Sequence, residues 1–221
     1  MFGRRKKEKE KKGALLVVSG FSGVGKGTVI AKLMQDHAEY SFSVSATTRS
    51  PRPGELDGRE YFFIDRETFD QYVKEDRFLE HTEYLDRCYG TLRSYVEDQR
   101  NQSHSIILDI EVEGALNVKR ACPDAKLIYI IPPSAEELMK RLTGRGTESQ
   151  EQIRGRVMRA VEETDVIPQY DYVVVNDEVD TTAEEIHRLA QSKGSLRRSR
   201  EETLALAEQI RADLQEILKS L

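Results

Sequence analysis

The chain has 221 residues, 38% of them hydrophobic and 33% charged, with a net charge of −5, enough for one sizeable core in a rather polar, soluble protein. No apolar run approaches the roughly 20 residues that a membrane-spanning helix needs, and the acidic balance argues against a general nucleic-acid binder. Two cysteines, Cys88 and Cys122, are too few for a disulfide framework, so a cytoplasmic protein with reduced thiols is expected.

Residues 1–12 carry seven Lys/Arg against two Glu and read as a solvated, disordered basic arm, with attraction to nucleic acid or membrane as the alternative. No apolar segment follows within signal-peptide distance. The run ALLVVS (14–19) then reads as a buried strand, and TVIAKLMQDH (28–37) has helical periodicity. Further apolar runs at 105–110, 126–131 and 172–175 suit buried parallel strands. Capping-box spacings at Ser134/Glu137, Ser149/Gln152 and Thr181/Glu184 mark helix starts between and after them. Strands alternating with helices imply an α/β fold, a parallel sheet flanked by crossover helices.

Two stretches interrupt the alternation. Residues 43–92, with YFFI at 61–64 and a helix expected over 65–76, read as an inserted subdomain. Residues 143–149, TGRGTES, read as a mobile flap within a small lid over about 141–156. From residue 195 onward a separate helical piece is expected. Its apolar stripe of Thr203, Ala207, Ile210, Leu214, Ile217 and Leu221 fits either packing on the protein's own core or pairing with a second copy of the chain.

The chemistry begins at GFSGVGKGT, Gly20 to Thr28. A strand, a glycine-rich loop and a helix are the context of a phosphate-binding loop, whose backbone N–H groups face phosphate oxygens at a helix N-terminus. Lys26 would place its ammonium against the phosphates. The next residue, Gly27, lacks the hydroxyl that usually helps hold Mg²⁺, and Thr28 sits about 100° further round the helix. Beyond the loop, Arg49, Arg52 and Tyr61 offer two guanidinium forks and a phenol suited to a phosphate dianion. Glu80, Tyr89, Thr91, Asp109 and Glu111 follow as candidate polar contacts. His37, His81, His104 and His187 show no catalytic or metal-ligand spacing.

Taken in order, SGFSGVGKGT, SVSATTRSPRPGE with DGREYFF, FLE with YGT, ILDIEVEGA, IIPPS, RLTGRGTE and VVVND make the sequence resemble guanylate kinases over about residues 13–190. The resemblance implies a kinase domain over 13–194 with a GMP-binding insertion, catalysing ATP + GMP ⇌ ADP + GDP with Mg²⁺. It implies ATP contacts at Gly20, Phe21, Ser22, Gly23, Val24, Gly25, Lys26, Gly27, Thr28, Arg145 and Asn176. It implies that Arg49, Arg52, Tyr61 and Tyr89 hold the GMP phosphate and that Ser45, Glu80, Thr91 and Glu111 read the base. Lys26, Arg49, Arg145 and Arg156 are the implied catalytic residues, with Arg141 a helper and Asp109 orienting Mg²⁺ through water. A carboxylate suits guanine because it accepts from the adjacent N1–H and N2 amine, whereas adenine presents an acceptor at N1. The sequence departs from the family pattern at Phe21 (usually proline), Glu111 (aspartate) and Glu113 (glutamine). A non-catalytic protein-binding module of the same fold and a kinase with another phosphorylated acceptor are the alternative readings.

Overall fold

The computed structural model describes residues 12–84, 86–144, 149–192 and 195–220. In chain order it runs β1 (Leu15–Gly20), α1 (Lys26–Asp36), β2 (Tyr40–Phe42), β3 (Ser45–Thr47), β4 (Tyr61–Phe63), α2 (Arg66–Lys74), β5 (Phe78–Tyr84), β6 (Arg87–Leu92) and α3 (Arg93–Asn101). Then come β7 (Ser105–Asp109), α4 (Val112–Ala121), β8 (Lys126–Ile131), α5 (Ala135–Thr143), α6 (Gln150–Glu163), a 3₁₀ turn over Thr164–Gln169, β9 (Tyr172–Val175), α7 (Val179–Ala190) and α8 (Arg200–Ser220).

Five parallel strands in the order β2-β7-β1-β8-β9 form the central sheet. Its inner strands are uninterrupted apolar runs because helices cover both faces, and Leu15 to Val18, Ile106 to Leu108 and Leu127 to Ile131 are buried. Pairing β1 with β7 sets Val18 opposite Asp109. The loop after β1 and the end of β7 therefore emerge side by side at the carboxyl edge of the sheet, where ligands bind in open parallel sheets.

Residues 45–92 carry a second, mixed sheet in the order β4-β3-β6-β5, with its own small core of Ala46, Phe69, Phe78 and Cys88. The expected helix over 65–76 is α2; the Asp65 side chain accepts from Thr68 N–H at 2.7 Å as its N-cap. The capping box of Ser149 and Gln152 is complete at the start of α6. At Thr181 the expectation fails: α7 begins two residues earlier, and Thr181 lies inside it, its hydroxyl donating to Glu178 Oε2 at 2.7 Å. Val179, packed against the core, draws the chain into helix before the polar pair is reached.

The C-terminal helix also differs from the separate piece expected. Thr203, Ala207, Ile210 and Leu214 are buried in the main core, with α8 packed on α6, β9 and the 3₁₀ turn. The stripe is thus covered by the chain itself, and its last member, Leu221, lies outside the described residues. A capping box missed in the sequence, Ser199 with Glu202, starts this helix. Ahead of it, Arg197 donates from its backbone N–H and Nε to the buried carboxylate of Glu185, at 2.6 and 2.7 Å. Among the described residues, no helix is long and apolar enough to cross a membrane.

If α8 belongs to the core, Leu214→Ala should cost about 2–5 kcal/mol in urea unfolding, the usual range for emptying a buried leucine site. The exposed neighbour change Gln215→Ala should cost less than about 0.5 kcal/mol. Equal small effects would mean that the helix is only loosely attached.

Candidate active site

The phosphate loop is shaped from behind. Gly25, the N-cap of α1, has φ 92°, a left-handed conformation that glycine adopts without strain, and a Cβ there would lie 2.8 Å from Asn176 Nδ2. That amide donates to the Val24 carbonyl at 2.8 Å. Arg141 donates to the same carbonyl at 2.8 Å and to the Asn176 carbonyl at 3.1 Å, while Glu137 holds its Nε at 2.9 Å. Asn176 is 2% exposed. Asn176 and Arg141 thus brace the loop and are not among the residues lining the cavity in front of it.

Phe21, where the family pattern has proline, turns its ring into the core edge-on to Tyr129 at 5.5 Å. The Tyr129 hydroxyl donates to Glu163 Oε2 at 2.8 Å, and burial pushes its pKa well up. The first turn of α1 carries no acidic side chain, so its N-terminal dipole is left to attract an anion. Lys26 forms an ion pair with Asp109, the contact that the β1–β7 register makes possible.

In front of the loop lies a cavity of about 690 Å³ lined by Gly20 to Thr28, Glu111, Gln152, Gly155, Arg156, Arg159 and Glu163. Arg156 donates to Ser22 Oγ at 3.1 Å. Arg159 bonds Glu163 at 2.9 Å and forms an ion pair with Glu111. Arg159 was absent from the sequence reading, although it lies three residues after Arg156 and so shares its helix face. Arg145 lies outside the described residues.

The oxygen chemistry of the site fits Mg²⁺. Asp109 offers a partly exposed carboxylate, and a Cβ on Gly27 would meet nothing within 4 Å. The missing hydroxyl thus leaves open space, which suits an ion that keeps most of its waters.

A second cavity, of about 280 Å³, opens between the two sheets, with Ser45, Tyr61, Glu80, Tyr89, Asp109 and Glu111 in its wall. Glu80 is 9% exposed, and the fully buried Thr91 hydroxyl donates to its Oε1 at 2.6 Å. Arg49, also buried, sits 5.3 Å from the Tyr61 ring centroid, and Tyr61 lies edge-on to Tyr89 at 6.1 Å. Glu55 holds this arginine at 2.9 Å and accepts from the Arg52 backbone N–H at 2.7 Å. The ion pair raises the Arg49 pKa and lowers that of Glu55. Glu55 was missed in the sequence, where it stands at the end of the turn PRPGE. Arg49, Tyr61 and Tyr89 are therefore brought together, while Arg52 stays exposed at the turn. Glu111 lines both cavities, but its side chain is 70% exposed and turned to Arg159, apart from the buried Glu80–Thr91 pair.

The two cavities thus share Glu111, and Lys26 in the wall of the first pairs with Asp109 in the wall of the second. The family model for guanylate kinase matches residues 12–193. The chain belongs to the guanylate kinase family. Among solved structures, guanylate kinase from Anaplasma phagocytophilum is similar at 30% identity, covering 96% of this chain and 96% of that chain with a TM-score of 0.60. That coverage reaches into α8, beyond the span the sequence resemblance had reached. Shikimate kinase from Bacteroides thetaiotaomicron covers 80% of this chain and 98% of that chain at 11% identity and a TM-score of 0.42, a likeness too weak to bear on function. The protein is a nucleotide kinase with a parallel sheet flanked by helices.

In this kinase, burial first of all raises the Glu80 carboxyl pKa, and the Thr91 hydrogen bond offsets part of the shift. A folded-state pKa above the unfolded one means that the folded protein holds the extra proton. The stability it contributes is then full below about pH 4 and is lost as pH rises through the folded value. Glu80→Gln should therefore flatten that decline and gain stability over the parent above this window, in unfolding curves from pH 4 to 8. Parallel profiles would show that Glu80 ionises in the fold without penalty.

Proposed function

We propose that the protein phosphorylates GMP with ATP, giving ADP and GDP, as a cytoplasmic enzyme. The observation that carries this reading is the buried carboxylate of Glu80 in the same cavity wall as Tyr61 and Tyr89, held from behind by the Thr91 hydroxyl. A buried carboxylate can accept two donors from the guanine edge, and adenine would leave it facing another acceptor, a mismatch that can cost a factor on the order of 10⁴. The acceptor's phosphate dianion would take over the Arg49 fork from Glu55 and accept from the Tyr61 and Tyr89 hydroxyls, with Arg52 closing from the turn. Ser45 supports recognition from the edge of the cavity, and Glu111 marks its boundary with the ATP side.

On that side the loop N–H groups and Lys26 hold the ATP phosphates. An oxygen of the GMP phosphate attacks the γ-phosphorus as the bond to the leaving ADP oxygen breaks, so no covalent enzyme intermediate is needed. The transferring group spreads negative charge over its equatorial oxygens, and the protein's part is to position and neutralise it. Lys26 and Arg156 supply cations for this, with Arg145 proposed from the resemblance alone. Asp109 would orient Mg²⁺ through water, and the ion bound with ATP would supply further charge neutralisation. A binding module without activity is disfavoured because Lys26, Arg49 and Arg156 are all present.

ADP formation from ATP and Mg²⁺ should be strong with GMP and weak with AMP, CMP or UMP. Lys26→Ala should lower kcat by on the order of 10²–10³-fold in a protein that remains folded. Glu80→Gln should raise KM for GMP far more than KM for ATP. Turnover with no nucleotide acceptor, or equal effects of Glu80→Gln on both substrates, would sink the GMP assignment.

A further inference from the structure

The far end of α1, opposite the phosphate loop, lies against α7. Here the chain passes through His37, Glu39 and Tyr40, while α7 presents Glu184 and His187 one turn apart on one face. The sequence reading found no ligand spacing for these histidines, and along the chain there is none. Packing of α1 on α7 brings them together, with their rings stacked 3.7 Å apart and 3° from parallel.

His37, Glu39 and His187 each offer one donor atom, and the three atoms lie within 4.8 Å of one another. No other such group of three occurs among the described residues. Glu39 Oε1 is 3.9 Å from His187 Nδ1, and Glu184 Oε2 is 3.5 Å from His37 Nε2. The Tyr40 hydroxyl lies 3.0 Å from His187 Nδ1, and an outer partner on that nitrogen leaves Nε2 to face the ion.

We propose that this cluster binds a Zn²⁺-type divalent ion, separately from the Mg²⁺–nucleotide site. Two imidazole nitrogens and a carboxylate oxygen are a donor set for zinc and its neighbours, whereas Mg²⁺ calls for oxygen throughout. Tetrahedral zinc with bonds of about 2.0–2.1 Å needs donors roughly 3.3 Å apart. Closing to that distance takes side-chain rotation that opens the ring stack. The side chains are free enough to turn, with exposures of 23% for His37, 19% for His187 and 40% for Glu39. Glu184 or a water completes the fourth position. The bound ion would pin the end of the phosphate-loop helix to α7.

The test is a calorimetric titration of the tag-free full chain, stripped with chelator and dialysed, with ZnCl₂ and separately with MgCl₂, alongside thermal unfolding. One Zn²⁺ per chain should bind and raise the Tm, and Mg²⁺ should not compete for the site. His37→Gln/His187→Gln should weaken binding tenfold or more and abolish the Tm rise. His104→Gln, which changes an exposed histidine elsewhere, should leave both intact. Glu39→Gln provides an independent variant if the double change disturbs folding, and unchanged kinase rates would show that the variants are intact. Zn²⁺ binding of unchanged affinity in the double variant and in Glu39→Gln, or no binding to the parent at micromolar Zn²⁺, overturns the proposal.

Discussion

Parallel pairing of β1 with β7 is the constraint on which the active site depends, because it decides what lies beside the phosphate loop. A strand that runs into a glycine loop delivers a lysine and a row of N–H groups to one edge of the sheet. Only a parallel neighbour ending at the same level delivers a carboxylate there. With Val18 opposite Asp109, the Lys26–Asp109 ion pair follows. A slip of one residue would turn the alternate faces of β7 around and carry Asp109 away. The burial of both strands between helices makes such a slip expensive, so the site inherits its precision from the hydrophobic core.

The region of residues 45–92 obeys a different economy. Its small sheet has a modest core, and its polar residues are held by one another. Glu80 is buried with Thr91, and Arg49 rests on an aromatic ring with Glu55 as its counter-charge. On the proposed function such a site is poised for exchange: a ligand phosphate would offer Arg49 what Glu55 offers, and guanine would offer Glu80 donors in place of its low-dielectric surroundings. The Glu111–Arg159 pair joins the two regions, linking the N-terminus of α4 to helix α6. The longer side chain at Glu111 gives it the reach for this contact.

Much of this was legible in the sequence, for identifiable reasons. Apolar runs such as KLIYII and YVVV announced strands because a parallel sheet is buried on both faces. The loop motif was legible because its chemistry is local. What the sequence concealed was tertiary. Whether Asn176 touches ligand or braces the loop depends on the packing of α5 and β9 behind Val24. The stripe on α8 looks the same whether it meets its own core or a second chain. The His37–His187 stack arises from two helices far apart in the chain, so no spacing rule could find it. Thr181 misled because a capping-box pattern is short, and one packed valine outweighed it.

The docking of α8 on α6 bears on the order in which the molecule becomes competent during synthesis. The helix that carries Arg156 and Arg159 is backed by residues translated later, with Arg154 donating to the carbonyl of Leu218, 64 positions on, at 2.9 Å. A nascent chain could pair β1, β7 and β8 and close its phosphate loop while this flank of α6 was still bare. Only when the later turns of α8 leave the ribosome can the helix that carries these arginines gain its full support.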